Sequence, residues 1–200
     1  DYRIPGLTEY TYMVTTSAEG YVEGKVSDLS LKEGELRNVN FNLVKGCKIT
    51  GAVKDVFNGQ VLESAIVIAA NVDGDTHSAL TDKNGSYAIT GLAAGEWDVY
   101  ASKEGFINSE ETAVTLQTAG SANRDFALLP GASISGRITD SNGNPIAGAI
   151  VFAEGENSST GSAITDESGY YKISGLTQGD YAISVQVDGY VIDKQDVGEI

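Results

Sequence analysis

Few residues in this chain are of types that do chemistry, and what stands beside each decides its role. His77 is the only histidine. Zinc binding or general-base work would need partners within reach of its ring. The residue matching it in a second copy of the surrounding pattern is Gly161, so an ordinary strand histidine is expected. Asn71, Asp73 and Asp75 share one loop at alternate positions and would turn three oxygens the same way. Calcium takes about six to eight oxygens, so these are the metal candidates and Ca2+ the single cofactor candidate. The matching later loop offers Glu154 and Glu156. Asp82-Lys83-Asn84-Gly85 and Asp140-Ser141-Asn142-Gly143 hold similar residue types but read more simply as turns. Cys47, the lone cysteine, allows a buried thiol or an intermolecular disulfide, and no internal one. Asn84-Gly85-Ser86 and Asn157-Ser158-Ser159 fit the N-glycosylation acceptor pattern in expected loops. No acid, base and nucleophile cluster or recur, so no enzyme and no catalytic residue is expected.

The elements that must carry these residues come from one stretch, Asn84 to Phe106. Asn84-Gly85 is a turn dipeptide, because both residues tolerate positive φ. Tyr87 and Ile89 alternate with small or polar neighbours, and Trp97, Val99 and Ala101 alternate again, which is the period of a strand. The stretch occurs three times. Tyr2, Tyr87 and Tyr171 each open a Tyr-x-Ile-x-Gly-Leu segment, at offsets of 85 and 84 residues. In each copy the Gly of Gly-Leu and the Gly of a closing pair, Gly20-Tyr21, Gly105-Phe106 and Gly189-Tyr190, are offset by fourteen positions. Tyr12, Trp97 and Tyr181 are equivalent and share the parity of the core valines, so they are expected inside. Tyr100 and Tyr170 are the better surface aromatics. A fixed period of this length marks an array of small units.

Three units follow: 1–45, the C-terminal half of a first β-sandwich repeat; 46–130, a complete one; 131–200, a third lacking its last strand. In the complete unit the alternation places strands at Cys47–Asp55, Ser64–Asn71, His77–Thr81, the two around Gly91, Ala113–Leu116 and Asn123–Leu129. Seven short strands with turn signals between them predict an antiparallel β-sandwich. In the first unit, strands are expected at Arg3–Ile4, Tyr10–Ser17, Lys25–Leu31 and Asn38–Val44, the last because Phe41 and Leu43 match Phe126 and Leu128. The joints are almost nil, Lys45-Gly46 and Pro130-Gly131, which suits a semi-rigid rod. Asp1 falls in mid-repeat, as in a processed product or a window on a longer array.

The chain carries a net charge of −15, with the acidic excess rising toward the last unit. Nothing here neutralises phosphates, so nucleic acid and anionic membranes are not expected partners. Hydrophobic content of 41% is that of a folded chain, and no apolar run approaches membrane length.

A glycine-led first strand, Thr-Asp-x-x-Gly-x-Tyr-x-Ile-x-Gly-Leu, then Gly-x-(Trp/Tyr)-x-(Val/Ile) and a Gly-aromatic pair resembles the carboxypeptidase regulatory-like domain. Residues 81–106 and 165–190 carry the pattern and 2–46 its second half. The resemblance implies an immunoglobulin-like sandwich related in fold to transthyretin, outside the cell or at its surface, without catalysis and often in tandem. Related pilin and adhesin sandwiches join a first-strand Lys to a last-strand Asn or Asp by an isopeptide bond. Lys48, Asn123 and Asp125 sit on such strands, against the plainer reading of solvated surface residues. The expected function is a structural module of a surface protein, stalk or fibre, polymerising head to tail by β-strand complementation. Partners would be copies of itself or neighbouring repeats, with a glycan or a surface protein as further candidates. The alternative is a carbohydrate- or protein-binding accessory domain of a secreted peptidase or glycan-active enzyme.

Overall fold

The structure, a computed structural model, describes residues 2–155, 159–189 and 193–200, with the backbone alone for 193–199. The described residues are all strand, turn and extended chain, without a helix. The first unit contributes one hairpin, β1 (Tyr10–Thr16) and β2 (Gly24–Leu31).

The second unit contains β3 (Cys47–Asp55), β4 (Ile66–Ala70), β5 (Thr76–Leu80), β6 (Ser86–Leu92), β7 (Gly95–Ser102), β8 (Phe106–Ile107), β9 (Thr112–Leu116), β10 (Ser121–Asn123) and β11 (Phe126–Pro130). One sheet runs β5-β4-β7-β9. The facing sheet is built on β3, with β6 on one edge, β10 and β11 on the other, and β8 beyond β11. Inward residues alternate as a half-buried strand requires. Ile49 and Val53 of β3, Val67 and Ala69 of β4, Tyr87 and Ile89 of β6, and Trp97 and Val99 of β7 meet Phe126 and Leu128 of β11 in one core.

The third unit repeats the plan with β12 (Ala132–Arg137), β13 (Ile150–Gly155), β14 (Thr160–Ile164), β15 (Tyr170–Leu176), β16 (Asp180–Gln186) and β17 (Asp193–Glu199). Its sheets are β12-β15 and β14-β13-β16-β17. The core holds Ile134, Val151, Ala153, Tyr171, Ile173, Tyr181 and Ile183. Both units place a bulge at the same point of the first strand, between Cys47 and Lys48 and between Ala132 and Ser133.

Three expectations need correction. Pairing is antiparallel except at the closing strand, where β10 and β11 run parallel to β3. That strand is also broken at Arg124-Asp125, and the short β8 at Phe106–Ile107 is not among those expected, so the unit counts nine elements, not seven. At the break the Arg124 N–H still donates to the Thr50 carbonyl at 2.8 Å, and side chains add two bonds: Asp125 Oδ1 accepts the Ala52 N–H at 2.8 Å, and the Arg124 carbonyl accepts from the Tyr87 hydroxyl at 2.6 Å. Arg3–Ile4 and Asn38–Val44 form no ladder. The second segment keeps strand parity, with Val39, Phe41 and Leu43 half-buried. Its counterpart β11 pairs with a first strand, and no such strand precedes it among the described residues.

Candidate functional site

The polar candidates are spent on turns. Asn71 Oδ1 accepts the N–H groups of Asp73 and Asp75 at 3.1 and 2.8 Å, and Asn71 Nδ2 donates to Asp75 Oδ2 at 3.1 Å. The three residues are thus brought together as a closed Asx turn joining β4 to β5. Among the described residues no group of three or more His, Cys, Asp or Glu could hold a metal ion. Asp82, Asp140 and Asp166 do the same work at the other loops. Each uses Oδ1 to accept two backbone N–H groups, from Asn84 and Ser86, Asn142 and Asn144, and Ser168 and Tyr170. These bonds favour the charged form. Asp82 is held below the usual carboxylate range chiefly by the Ser86 N–H, Asp140 by the Asn144 side chain, and Asp166 by the Ser168 side chain. Asn84 stands exposed at its turn. Asn157 and Glu156 lie outside the described residues.

The remaining candidates stand apart. Cys47 is buried, and its thiol donates to the Gln117 carbonyl at 3.0 Å. Lys48 is exposed and opposite Ser121, while Asn123 is exposed and opposite Thr50. Asn123 Nδ2 lies 3.4 Å from Asp125 Oδ1 on the surface, not in the apolar enclosure an isopeptide bond needs. His77 is half-buried and stands edge-on to the Trp97 ring, 5.5 Å between centroids. Tyr100 is half-buried on β7 and Tyr170 exposed at the start of β15, in different units.

Trp97 and Tyr181 are core residues, and Tyr12 is half-buried over the two-stranded sheet. Their polar tips share a role that residue parity did not reveal. Tyr12 Oη, Trp97 Nε1 and Tyr181 Oη each donate to the carbonyl four residues back, on Thr8, Ala93 and Thr177, at 3.0 Å in every case. A buried aromatic with a polar tip needs such a partner, and here the bond ties down the corner after Gly-Leu.

The feature that recurs with the same geometry is the joint between units. Gly46 N–H donates to the Gly20 carbonyl, and Gly131 N–H to the Gly105 carbonyl, both at 2.9 Å. The Gly-aromatic turn of one unit thereby holds the first residue of the next. A Cβ on Gly91 would lie 2.9 Å from the Tyr21 carbonyl oxygen, and one on Gly175 2.6 Å from that of Phe106. Both glycines have positive φ, 80° and 78°, so only glycine meets the two demands without strain. Inside each unit the corner also packs on the first strand, since a Cβ on Gly46 or Gly131 would reach the Gly91 or Gly175 Cα at 2.6 and 2.5 Å. The constant glycines of the repeat are therefore one contact made twice. Two open grooves flank the first joint. One, of about 330 Å³, is lined by Val22, Leu43, Val44, Cys47, Ala93 and Thr118. The other, of about 310 Å³, is lined by Glu19, Tyr21, His77 and Thr90.

Two consecutive sandwiches of one blueprint accord with what comparison with known proteins finds. A profile of the carboxypeptidase regulatory-like domain matches residues 48–129 and again 133–198. The chain belongs to that family. Its carboxypeptidase regulatory-like domains are also similar to a serine-aspartate repeat-containing protein F of Staphylococcus epidermidis, 26% identical over 71% of this chain. The chain spans 10% of that protein's length. Among solved structures, the Bacillus anthracis TIE protein aligns over 95% of this chain and 39% of its own, with a TM-score of 0.39 and 18% identity. A streptococcal ancillary pilin aligns over 96% and 72%, with a TM-score of 0.37 and 15% identity. No helix among the described residues is long and apolar enough to cross a membrane.

Proposed function

We propose that this chain is a non-catalytic structural stretch of an extracellular surface protein, a stalk or fibre. Its carboxypeptidase regulatory-like units, 1–45, 46–130 and 131–200, transmit position and tension from one to the next. The observation that carries this reading is the joint. The same glycine contact, at the same 2.9 Å, follows both closing segments, and a linker of one or two residues leaves each unit little freedom relative to its neighbour. Likeness to a serine-aspartate repeat-containing protein, of which the chain spans 10%, supports a place within a longer protein. In this reading units also pair with neighbours or other copies through β-strands. The acidic surface keeps neighbouring arrays soluble and apart.

Small-angle scattering on the dilute monomer tests the joint. A single extended form should fit the curve. A curve that demands a broad ensemble of bent forms would sink the reading.

A further inference from the structure

The second unit has a sheet edge that nothing covers, and the third unit repeats it. Among the described residues β5 pairs with β4 alone and β14 with β13 alone. Asn71 N–H donates to the Asp75 carbonyl and Thr81 N–H to the Ala65 carbonyl. Antiparallel pairs alternate, so the odd-numbered residues of β5 bond to β4, and Thr76, Ser78 and Leu80 turn their N–H and C=O groups away from it. In the third unit Gly155 N–H donates to the Ser159 carbonyl and Thr165 N–H to the Ala149 carbonyl, which turns Thr160, Ser162 and Ile164 outward in the same way. No further backbone bond reaches any of the six among the described residues.

An open edge is ordinarily blunted by a charge, a proline, a bulge or a covering loop. These strands, Thr-His-Ser-Ala-Leu and Thr-Gly-Ser-Ala-Ile, hold no acid, lysine, arginine or proline. Neither ladder shows a register shift. Leu80 and Ile164, at the same place in each strand, are 66% and 67% exposed. The opposite edge of the second unit's sheet, β9, is by contrast tied to the facing sheet, where Arg124 Nη2 donates to Thr112 Oγ1 at 2.8 Å.

Charge decides what fits there. The loops around β5 carry Asp73, Asp75 and Asp82 against Lys83, and the loop after β14 carries Asp166 and Glu167 beside Arg137. His77 of β5 lines the groove of about 310 Å³ that also holds Glu19 and Glu23. Among the described residues the ion pair is Arg37 with Glu35, so neither of those glutamates meets a base. A second copy is a poor occupant. Antiparallel pairing about Ser78 would set its Asp82 opposite Gly74, between Asp73 and Asp75, with a net charge of −15 on each chain. A basic segment turns the same charges into attraction.

We propose that β5 and β14 are docking lanes for an extended segment of another protein, added as an antiparallel strand. The segment is uncharged in its middle and carries Lys or Arg at both ends. This goes beyond the structural role. Its alternate residues bond to Thr76, Ser78 and Leu80, or to Thr160, Ser162 and Ile164, and an apolar one covers Leu80 or Ile164. Two lanes on one chain let a partner with two such segments bind with avidity.

Isothermal titration of the 200-residue chain with the peptide Lys-Lys-Val-Thr-Val-Thr-Val-Lys-Lys, at physiological salt, tests this. Two peptides should bind per chain, one after Ser78→Pro or Ser162→Pro, and none after both. Each proline replaces an outward N–H, so it takes no bond from the neighbouring strand and leaves the charge unchanged. Peptides methylated on backbone nitrogens supply a test on the unaltered chain. Methylating the three valines, which face the lane, should weaken binding about 100-fold. Methylating the two threonines should weaken it less than about threefold. No binding, equal binding of the two methylated peptides, or two sites kept in the double variant overturns the proposal, the last two by assigning the attraction to charge alone. So does a concentration-dependent dimer of the chain that Ser78→Pro abolishes, which would give the lane to a second copy.

Discussion

The Tyr87 hydroxyl crosses the first strand of its sandwich and donates to the Arg124 carbonyl on the far side, at 2.6 Å. The bond falls at the break in the closing strand, beside the backbone bond from the Arg124 N–H to the Thr50 carbonyl at 2.8 Å. Tyr2 and Val39 make the same bond at the same length, so in the first two units the tyrosine that opens the repeat motif is a clamp for the closing segment.

Removing that hydroxyl should loosen the closing strand without emptying the core. Tyr87→Phe is expected to lower stability by about 1 kcal/mol, and Tyr171→Phe, whose hydroxyl makes no such bond among the described residues, by less than about 0.5 kcal/mol. Urea unfolding of the dilute monomer separates the two. Equal losses would contradict the clamp.

Thr81 and Thr165 carry a second buried bond pair. Thr81 Oγ1 donates to the Leu62 carbonyl at 2.6 Å and accepts the Ala65 N–H at 2.8 Å. Thr165 does the same with Ile146 and Ala149. Thr81→Val keeps the shape and orphans two backbone groups, so a cost of about 2 kcal/mol is expected. Thermal melting checks it, and a change within error would show that water replaces the hydroxyl.

The joint glycines can be separated from mere backbone strain. Gly6 has φ of 76° and open space around it, whereas Gly175 has φ of 78° and the Phe106 carbonyl against it. Gly6→Ala should show only the left-handed cost of about 1 kcal/mol. Gly175→Ala should also part the second and third units, read as a broadened distance distribution in small-angle scattering. The same scattering from both variants would deny the joint its role.

Stability should fall in acid. Asp82, Asp140 and Asp166 have folded-state values depressed below the usual carboxylate range. The folded chain therefore binds fewer protons than the unfolded one around pH 4, and the stability these carboxylates give is lost as pH falls through their lowered values. Asp166→Asn should flatten the acid limb of a plot of melting midpoint against pH. A slope that survives substitution of all three assigns the acid loss elsewhere.

An opposite limb is expected in alkali. Burial, aided by the nearby Asp125 charge, pushes the Tyr87 phenol well above its ordinary value, and burial raises Tyr171. A raised folded value means stability that is whole below about pH 10 and declines above it, as the unfolded phenol ionises first. In Tyr87→Phe that decline should shrink. Monitoring the melt between neutral pH and strong alkali measures it.

Much of this architecture can be read from residue order. Alternation with Asn-Gly turns places β3 at Cys47–Asp55, and the buried run Ser64–Asn71 is trimmed to Ile66–Ala70 because Ser64 itself turns at φ of 58°. What a strand pairs with is not written in its own alternation. Hence the parallel lane of β11 and the unladdered Asn38–Val44 are visible only in three dimensions. The joint glycines are conspicuous as constants of spacing, but spacing does not say that Gly91 faces a carbonyl of the preceding unit. Nothing in sequence brings His77 beside Trp97, since the pairing of β4 with both β5 and β7 does that.

The parallel lane bears on how the second unit resists stretching. The chain enters at Cys47, at the head of β3, and leaves at Pro130, at the tail of β11, and these are adjacent strands running the same way. Pulling the two ends apart slides one strand along the other. The crossing bonds are then strained in shear, all together, where a hairpin pulled from its open end would unzip rung by rung.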